Sequence, residues 1–296
     1  MKLLVTSVRN EAPNLAEWIA WHKMIGYDHF LVYTNDNTDN TKEILDKISR
    51  LGFLTWVEQF PKPDDFPQMI AFDRAMDWIH EHKPDWISVF DSDEFLNLKV
   101  DQNLDEFVAR YPKADAIAIN WKLFGSSEIT HKGLGLTPER FLWAAYDDYF
   151  EHRQFKSLVR YNKDLVRIFH RAVYKDDFYA NINYVFPDGR HVHKDFVRPG
   201  PFNTAGGLYH YDFSIAQLNH YAIRSLSEYK MKRMRGSGIR KSSIEDASDK
   251  IRDENYRRRF DKNVVFDSSI LRRLDEYVKC YLELCQQADI PTYIGV

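Results

Sequence analysis

The sequence predicts an α/β protein with a mostly parallel central sheet flanked by helices, and three observations lead there. Apolar strand-like runs alternate with helical-period segments from the start of the chain to residue 98. Glycine or proline punctuates the helices. A length of 296 residues is enough for one large core without disulfide staples.

Taken in order, "KLLVTSV" reads as a buried strand, and "APNLAEWIAWHKMIG" as an amphipathic helix with Leu15, Trp18, Ile19 and His22 on one side, closed by Gly26. "DHFLVYTN" is the second strand. "NTKEILDKISRLG" is a helix capped near Asn40 or Thr41 and stopped at Gly52. "FLTWVEQF" is the third strand, and "PQMIAFDRAMDWIHEHK" a helix begun by Pro67 and ended before Pro84. "WISVF" is the fourth strand. This β-α-β-α-β-α-β order calls for right-handed crossovers and for ligands beyond the carboxyl ends of the strands.

The pattern is less regular after residue 112. "ADAIAINWKLFG", "SLVRY" and "VRIFHRAVY" read as strands, and "SIAQLNHYAIRSLSEYKMKRMRG" reads as one helix. "KSSIEDASDKIRDENYRRRFDKN" mixes both charges densely, as solvated helix or loop does. The last helix, "SSILRRLDEYVKCYLELCQQA", puts Leu271, Leu274, Val278, Tyr281 and Cys285 on one stripe.

A net charge of −3 disfavours a nucleic-acid binder, because phosphate affinity needs excess Lys and Arg. The two cysteines, Cys280 and Cys285, form neither a zinc pattern nor a disulfide framework, which suits a reducing cytoplasm. No apolar run reaches the roughly 20 residues of a membrane span, and the opening run is too short for a signal peptide. The expectation is a cytoplasmic protein, free or peripheral at the inner face of a membrane.

The chemistry is concentrated in "DWISVFDSDEFLNL", residues 85–98, where an apolar strand runs into Asp91, Asp93 and Glu94. Three carboxylates this close repel one another, and a hard divalent cation such as Mg²⁺ or Mn²⁺ would cancel the repulsion. Such a cation keeps positions open for phosphates, so a nucleotide diphosphate is the expected cargo. D-x-D alone also suits an exposed acidic turn. Neither G-x-G-x-x-G after the first strand nor a P-loop occurs, which disfavours dehydrogenases and P-loop NTPases.

"VRNEAPNLAEWIAWHKMIGYDHFLVYTNDNTDNT", Gln68 ahead of "WISVFDSDEF", then "WKLFGSS", "KSLVR" and "NHYAIRSLSEYKMKRMRG" together resemble glycosyltransferases of the GT-A fold, in the family 2-like and family 92-like group. The resemblance covers residues 8 to 236. It implies a GT-A domain over 1–236, with a nucleotide-sugar half (1–112) and an acceptor half (113–236), and leaves 237–296 as a C-terminal helical extension. It also implies a nucleotide-sugar donor, a divalent metal, and a glycan or lipid-linked hydroxyl acceptor, as in polysaccharide biosynthesis.

Carried over residue by residue, the resemblance makes Asp93 a metal ligand, Asp91 a metal or ribose ligand, and His220, on the helix, the residue completing the metal shell. Glu94 would orient a ligand or a metal-bound water. Arg9, Asn10 and Glu11 follow the first strand, where a base or ribose lies in this fold, and they equally suit a loop or cap. Asp36 is similar to a base-reading aspartate, and Gln68 suits a cap or a donor contact. Lys156, Arg224 and Lys230 would face the diphosphate or solvent, with Arg224 one helical turn beyond His220. Trp121, Phe124, Gly125 and Ser126 would line the acceptor side, unless the two rings are core. Inversion needs a general base, for which Glu128, Glu139 and Asp195 are the candidates, with Asp188 behind them.

Two rival readings accompany this one. Haloacid dehalogenase-type phosphatases and phosphotransferases also place D-x-D after an apolar strand, with the first aspartate as nucleophile. A non-catalytic sugar-binding module would hold Ca²⁺ at the acidic tip and stack glycan on its aromatic rings.

Overall fold

A computed structural model describes residues 1–193, 210–235 and 254–293. The first half follows the expected alternation: β1 (Lys2–Val8), α1 (Ala12–Met24), β2 (His29–Thr34), α2 (Thr41–Ser49), β3 (Leu54–Glu58), α3 (Pro67–His82) and β4 (Trp86–Val89). Then come β5 (Glu94–Leu98), α4 (Leu104–Ala109), β6 (Ala116–Leu123), α5 (Thr137–Arg140), β7 (Trp143–Ala144), β8 (Phe155–Arg160), β9 (Leu165–Ile168), β10 (Ala172–Tyr174) and β11 (Tyr184–Val185). The chain continues with β12 (Ala216–His220), α6 (Leu226–Met234), α7 (Glu254–Phe260), β13 (Val265–Phe266) and α8 (Leu274–Ala288).

The main sheet runs β3-β2-β1-β4-β8-β6-β12-β5, with β11 added alongside β6. Its first four strands are parallel, as βαβ crossovers require. β8 is antiparallel to both β4 and β6, so β4 and β6 point the same way. β12 is parallel to β6 and antiparallel to β5. One edge therefore collects the carboxyl ends of β4, β6 and β12 together with the amino ends of β5 and β8.

Apolar cores cover both faces. Residues of α1, α2 and α8 pack on one face, and α3 with β9 and β10 pack on the other. Gly26 and Gly52, at φ 108° and 86°, terminate α1 and α2 as expected. The start of α2 is capped by Asp39, whose Oδ1 accepts from the Thr41 N–H at 3.0 Å, rather than by Asn40. Three side chains of α1 also close the outer edge of β5. The indoles of Trp18 and Trp21 donate to the Glu94 and Leu96 carbonyls at 2.8 and 2.9 Å, and His22 Nε2 accepts the Leu96 N–H at 3.3 Å. An otherwise open strand edge is thereby satisfied.

Three expectations are corrected. The single helix expected over 214–236 is strand β12, a turn, then helix α6: residues 216–220 lie between β5 and β6, where pairing on both sides overrides helical propensity. His220 is thus a strand residue, and Arg224 lies in the turn. The run 166–174 is split between two antiparallel strands, β9 and β10. In α8 the buried face is Tyr277, Tyr281, Leu284, Cys285 and Ala288, while Leu274 and Val278 are only partly covered, as is Leu271, which lies in the turn before the helix. No helix among the described residues is long and apolar enough to cross a membrane.

Candidate active site

The acidic tip is a tight turn at the collecting edge of the sheet. The Glu94 N–H donates to the Asp91 carbonyl at 3.0 Å, and the Asp91 N–H donates to Glu94 Oε2 at 2.7 Å. From outside, the Tyr221 N–H donates to the Asp93 carbonyl at 2.8 Å and Arg224 Nη2 donates to the Ser92 carbonyl at 3.0 Å. With the carbonyls of 91, 92 and 93 all engaged, the turn has little freedom. Glu94 is fully buried, and burial, reinforced by Asp91 and Asp93 against Lys156, pushes its carboxyl well above the usual range. It closes the turn through Oε2, while its Oε1 is buried with no hydrogen-bond partner among the described residues.

The two aspartates point to different partners. Asp91 accepts from Gln68 Nε2 at 2.7 Å and from the buried Lys156 Nζ at 3.3 Å. Asp93 bonds Lys232 through Oδ2, and its Oδ1 lies 3.6 Å from His220 Nε2. Burial opposes ionisation of both. For Asp93, Lys232 and then His220 outweigh it and hold the carboxyl well below the ordinary value. For Asp91, Lys156 does the same against repulsion from Asp93. Much of the positive charge demanded by three carboxylates is therefore supplied by lysines of the chain itself.

Among the described residues no group of three or more His, Cys, Asp or Glu side chains converges as a ready metal cage. The donor set still fits a hard cation in part. Asp93 Oδ1 and His220 Nε2 stand too far apart for a hydrogen bond, and His220 Nδ1 is buried with no hydrogen-bond partner among the described residues. Mg²⁺ is usually held by one or two carboxylates with the remaining positions left to phosphate and water, so Asp93 suits it and the His220 nitrogen is the softer donor.

Beside the tip, the loops after β1 and β2 lock together. The Asn10 N–H donates to Asn37 Oδ1 at 2.9 Å, and Asn10 Oδ1 accepts the Thr38 N–H at 2.8 Å. Asn10 and Asp36 both adopt positive φ, 52° and 46°, which their short polar side chains tolerate. Asp36 is exposed. Arg9 is half-buried, its Nε without a partner among the described residues, and its carbonyl accepts from Arg235 at 2.8 Å. Glu11 is buried and paired with Arg235 and, at 3.3 Å, with Arg224. Burial acts against its charge, but Arg235 and then Arg224 lower its pKa to about 2. Glu11 and Arg224 are thus turned toward each other.

On the acceptor side only Trp121 adjoins the tip, its ring 4.3 Å from that of His220 and 5.4 Å from that of His170. Phe124 is core, packed on Tyr221, and Gly125 and Ser126 are buried beneath Asn263 and Asp261. Glu128 is exposed in the loop beyond β6 at φ 60°. Glu139 Oε2 accepts the Leu136 N–H at 2.7 Å and lines a groove of about 570 Å³ against α8, with no contact to Asp91 or Asp93. Asp188 pairs with Arg190 and His210. Lys230 points into solvent, and Asp195 lies outside the described residues.

Lys232, Arg235 and His170 were not singled out from the sequence. The first two follow from a local signal: Ser225 and Glu228 form a capping box that starts α6, and this start puts 228, 232 and 235 on one helical face. His170 reaches the site only because the β9–β10 hairpin folds over β8. No local pattern marks it.

Two aspartates, a histidine and a lysine brought together at the carboxyl edge of a mostly parallel sheet place this chain among α/β proteins with a charged candidate site at the strand ends. The model of Glycosyltransferase family 92 matches residues 6–264, so the chain belongs to that family. A family 92 protein of Oryza sativa subsp. japonica is 26% identical over 187 residues, 60% of this chain and 30% of that protein. One from Ricinus communis is 22% identical over 189 residues, 60% of this chain and 32% of that protein. The chain thus spans about a third of the length of these relatives. Among solved structures, S. aureus TarS 1–349 aligns with TM-score 0.34 and 13% identity over 54% of this chain and 47% of that one. The family match runs past residue 236, where the resemblance seen in the sequence stopped, and it is to a different family from the haloacid dehalogenase type.

Proposed function

We propose that the chain transfers a sugar, with inversion, from a nucleotide-diphosphate sugar to a hydroxyl of a glycan or lipid-linked acceptor, aided by Mn²⁺ or Mg²⁺. The observation that carries this reading is the 3.6 Å approach of Asp93 Oδ1 to His220 Nε2 at the edge where β4, β5, β6, β8 and β12 present the ends nearest the acidic tip. These two atoms would hold the cation, which when bound stabilises charge on the departing phosphate oxygen. Lys156, fully buried beside Asp91, keeps that carboxylate ionised and adds positive potential for the diphosphate. Gln68 fixes the Asp91 rotamer, leaving the aspartate to bind ribose or diphosphate through water.

In the transfer, the acceptor oxygen forms a bond to the anomeric carbon as the bond from that carbon to phosphate breaks. The electron pair leaves on the phosphate oxygen, and the acceptor proton passes to a carboxylate base. Glu128 is assigned this base: it is exposed at the site edge and has no ion-pair partner among the described residues, whereas Glu139 is engaged in capping its own helix. The test is release of nucleoside diphosphate from UDP- and GDP-sugars with oligosaccharide acceptors, with and without EDTA. Release that needs both acceptor and metal supports the reading, and release of inorganic phosphate alone contradicts it.

A further inference from the structure

Beyond Leu123 the chain leaves the central sheet and is fastened to a two-stranded ribbon. Phe124 bridges Ala144, and the Gly125 N–H donates to the Trp143 carbonyl at 2.9 Å. β7 then pairs with β13, with Trp143 directly opposite Phe266. A side chain at position 125 would collide with Asn263 Oδ1 at 2.4 Å and the Lys262 carbonyl at 2.6 Å, so the glycine permits the close docking of this ribbon. Asn263 Oδ1 also accepts the Ser127 N–H at 2.7 Å. Ser127 Oγ in turn accepts the N–H groups of Leu142 and Trp143 at 3.2 and 3.4 Å.

The ribbon wears its apolar face outward. Strand alternation puts Trp143, Phe266 and, two residues before it, Val264 on one side and Ala144 on the other. Ala144 is fully buried, while Trp143, Val264 and Phe266 are 42%, 57% and 56% exposed. The two rings form an edge-to-face pair 5.5 Å apart. Leaving such a cluster in water is unfavourable, and contiguous exposed apolar surface of this kind marks binding sites. Its position is equally informative. Leu123 is the register partner of His220, and Gly125, which anchors the ribbon, lies only two residues, roughly 7 Å, further along. Glu128 stands next to Ser127, the residue that fixes Trp143, and so brings an exposed carboxylate to the same rim.

We propose that the Trp143–Phe266 face is a glycan-docking platform on the acceptor side, where the rings cover the C–H faces of sugar residues and Glu128 accepts hydrogen bonds from their hydroxyls. Flat aromatic faces beside a carboxylate suit the mixed apolar and hydroxyl surface of an oligosaccharide. The platform is continuous with the site through backbone hydrogen bonds, which favours an acceptor over an unrelated membrane contact. This inference rests on the glycan-acceptor form of the proposed function. It also moves the acceptor wall outward from Trp121 and Phe124 to rings that solvent reaches.

The full chain is titrated with maltohexaose, cellohexaose, xylohexaose and laminarihexaose and followed by saturation-transfer NMR. Wild type is compared with Trp143→Ala/Phe266→Ala and with Trp143→Phe, and binding to phosphatidylglycerol vesicles is measured alongside. At least one oligosaccharide is expected to bind wild type, to weaken about tenfold or more in the double variant, and to be largely retained by Trp143→Phe. No binding of any of the four, unchanged binding in the double variant, or ring-dependent binding to the vesicles in their place would overturn the proposal. Mn²⁺-dependent UDP and GDP binding, measured on the same samples, reports the donor site separately. Its absence from every sample counts against the donor reading, and the oligosaccharide titration alone decides the platform.

Discussion

Arg224 Nη2 donates to the Ser92 carbonyl at 3.0 Å, so the residue between the two aspartates is gripped from behind by a buried cation. Arg224 does this at φ 58°, a left-handed conformation that costs a non-glycine residue roughly 1 kcal/mol. The same guanidinium reaches Glu11, the residue just before α1. A strained turn residue thereby ties the acidic tip to the loop beside it.

Removing that tie has a predictable cost. Arg224→Met leaves the Ser92 carbonyl without its donor and Glu11 with Arg235 and Asn14, and a loss of about 3 kcal/mol in urea unfolding is expected. Combining it with Glu11→Gln should cost less than the sum of the two single changes, because the contact between Glu11 and Arg224 can be lost only once. Strict additivity of the two changes would show that the residues do not interact.

Glu94 makes a sharper contrast between two substitutions. Burial pushes its carboxyl well above the usual range, and it accepts the Asp91 N–H, so Glu94→Gln should change stability by less than about 1 kcal/mol. Glu94→Ala removes the acceptor and opens a cavity, at a cost of roughly 2–3 kcal/mol. Equal costs for the two variants, read from denaturant midpoints, would argue that an ionised Glu94 is required.

Stability should fall in acid in two stages. Burial lowers His22 and His170 to about 3 and His152 to about 4, so the fold refuses protons that the unfolded chain accepts near 6.5. Their stabilisation is complete above that value and is lost as pH falls, by about 1.4 kcal/mol per pH unit for each histidine. Glu11 and Glu228, both near 2, add stabilisation that is present above about 4.5 and lost as pH falls toward 2. Glu94 and Glu17, raised mainly by burial, work in the opposite sense, favouring the fold as pH falls toward about 4.5, and so soften the first stage. A melting temperature that stays flat from pH 7 to pH 5 would contradict the histidine assignments.

The parallel half of the fold was legible because each of its elements carries its own period and its own stop signal. β1 through β4 and their helices needed nothing from the rest of the chain. β12 was not legible: "AQLNH" is a strand only because β5 and β6 flank it, and no local pattern encodes both neighbours. The acidic tip was visible as charge on a strand end. Its counter-charges were not, since Lys156 arrives from β8 and Lys232 from α6, 65 and 139 residues away in sequence. The aromatic face of Trp143 and Phe266 was hidden for the same reason, each strand of the ribbon having only two residues.

The most direct measurement is the thermal shift produced by UDP and GDP with and without Mn²⁺, made on wild type, Asp93→Asn and His220→Gln. One nucleotide should stabilise wild type only when Mn²⁺ is present, and both variants should lose that increment whatever their own melting temperatures. Equal metal-dependent stabilisation of all three proteins, or stabilisation indifferent to Mn²⁺, would contradict a cation held between Asp93 and His220.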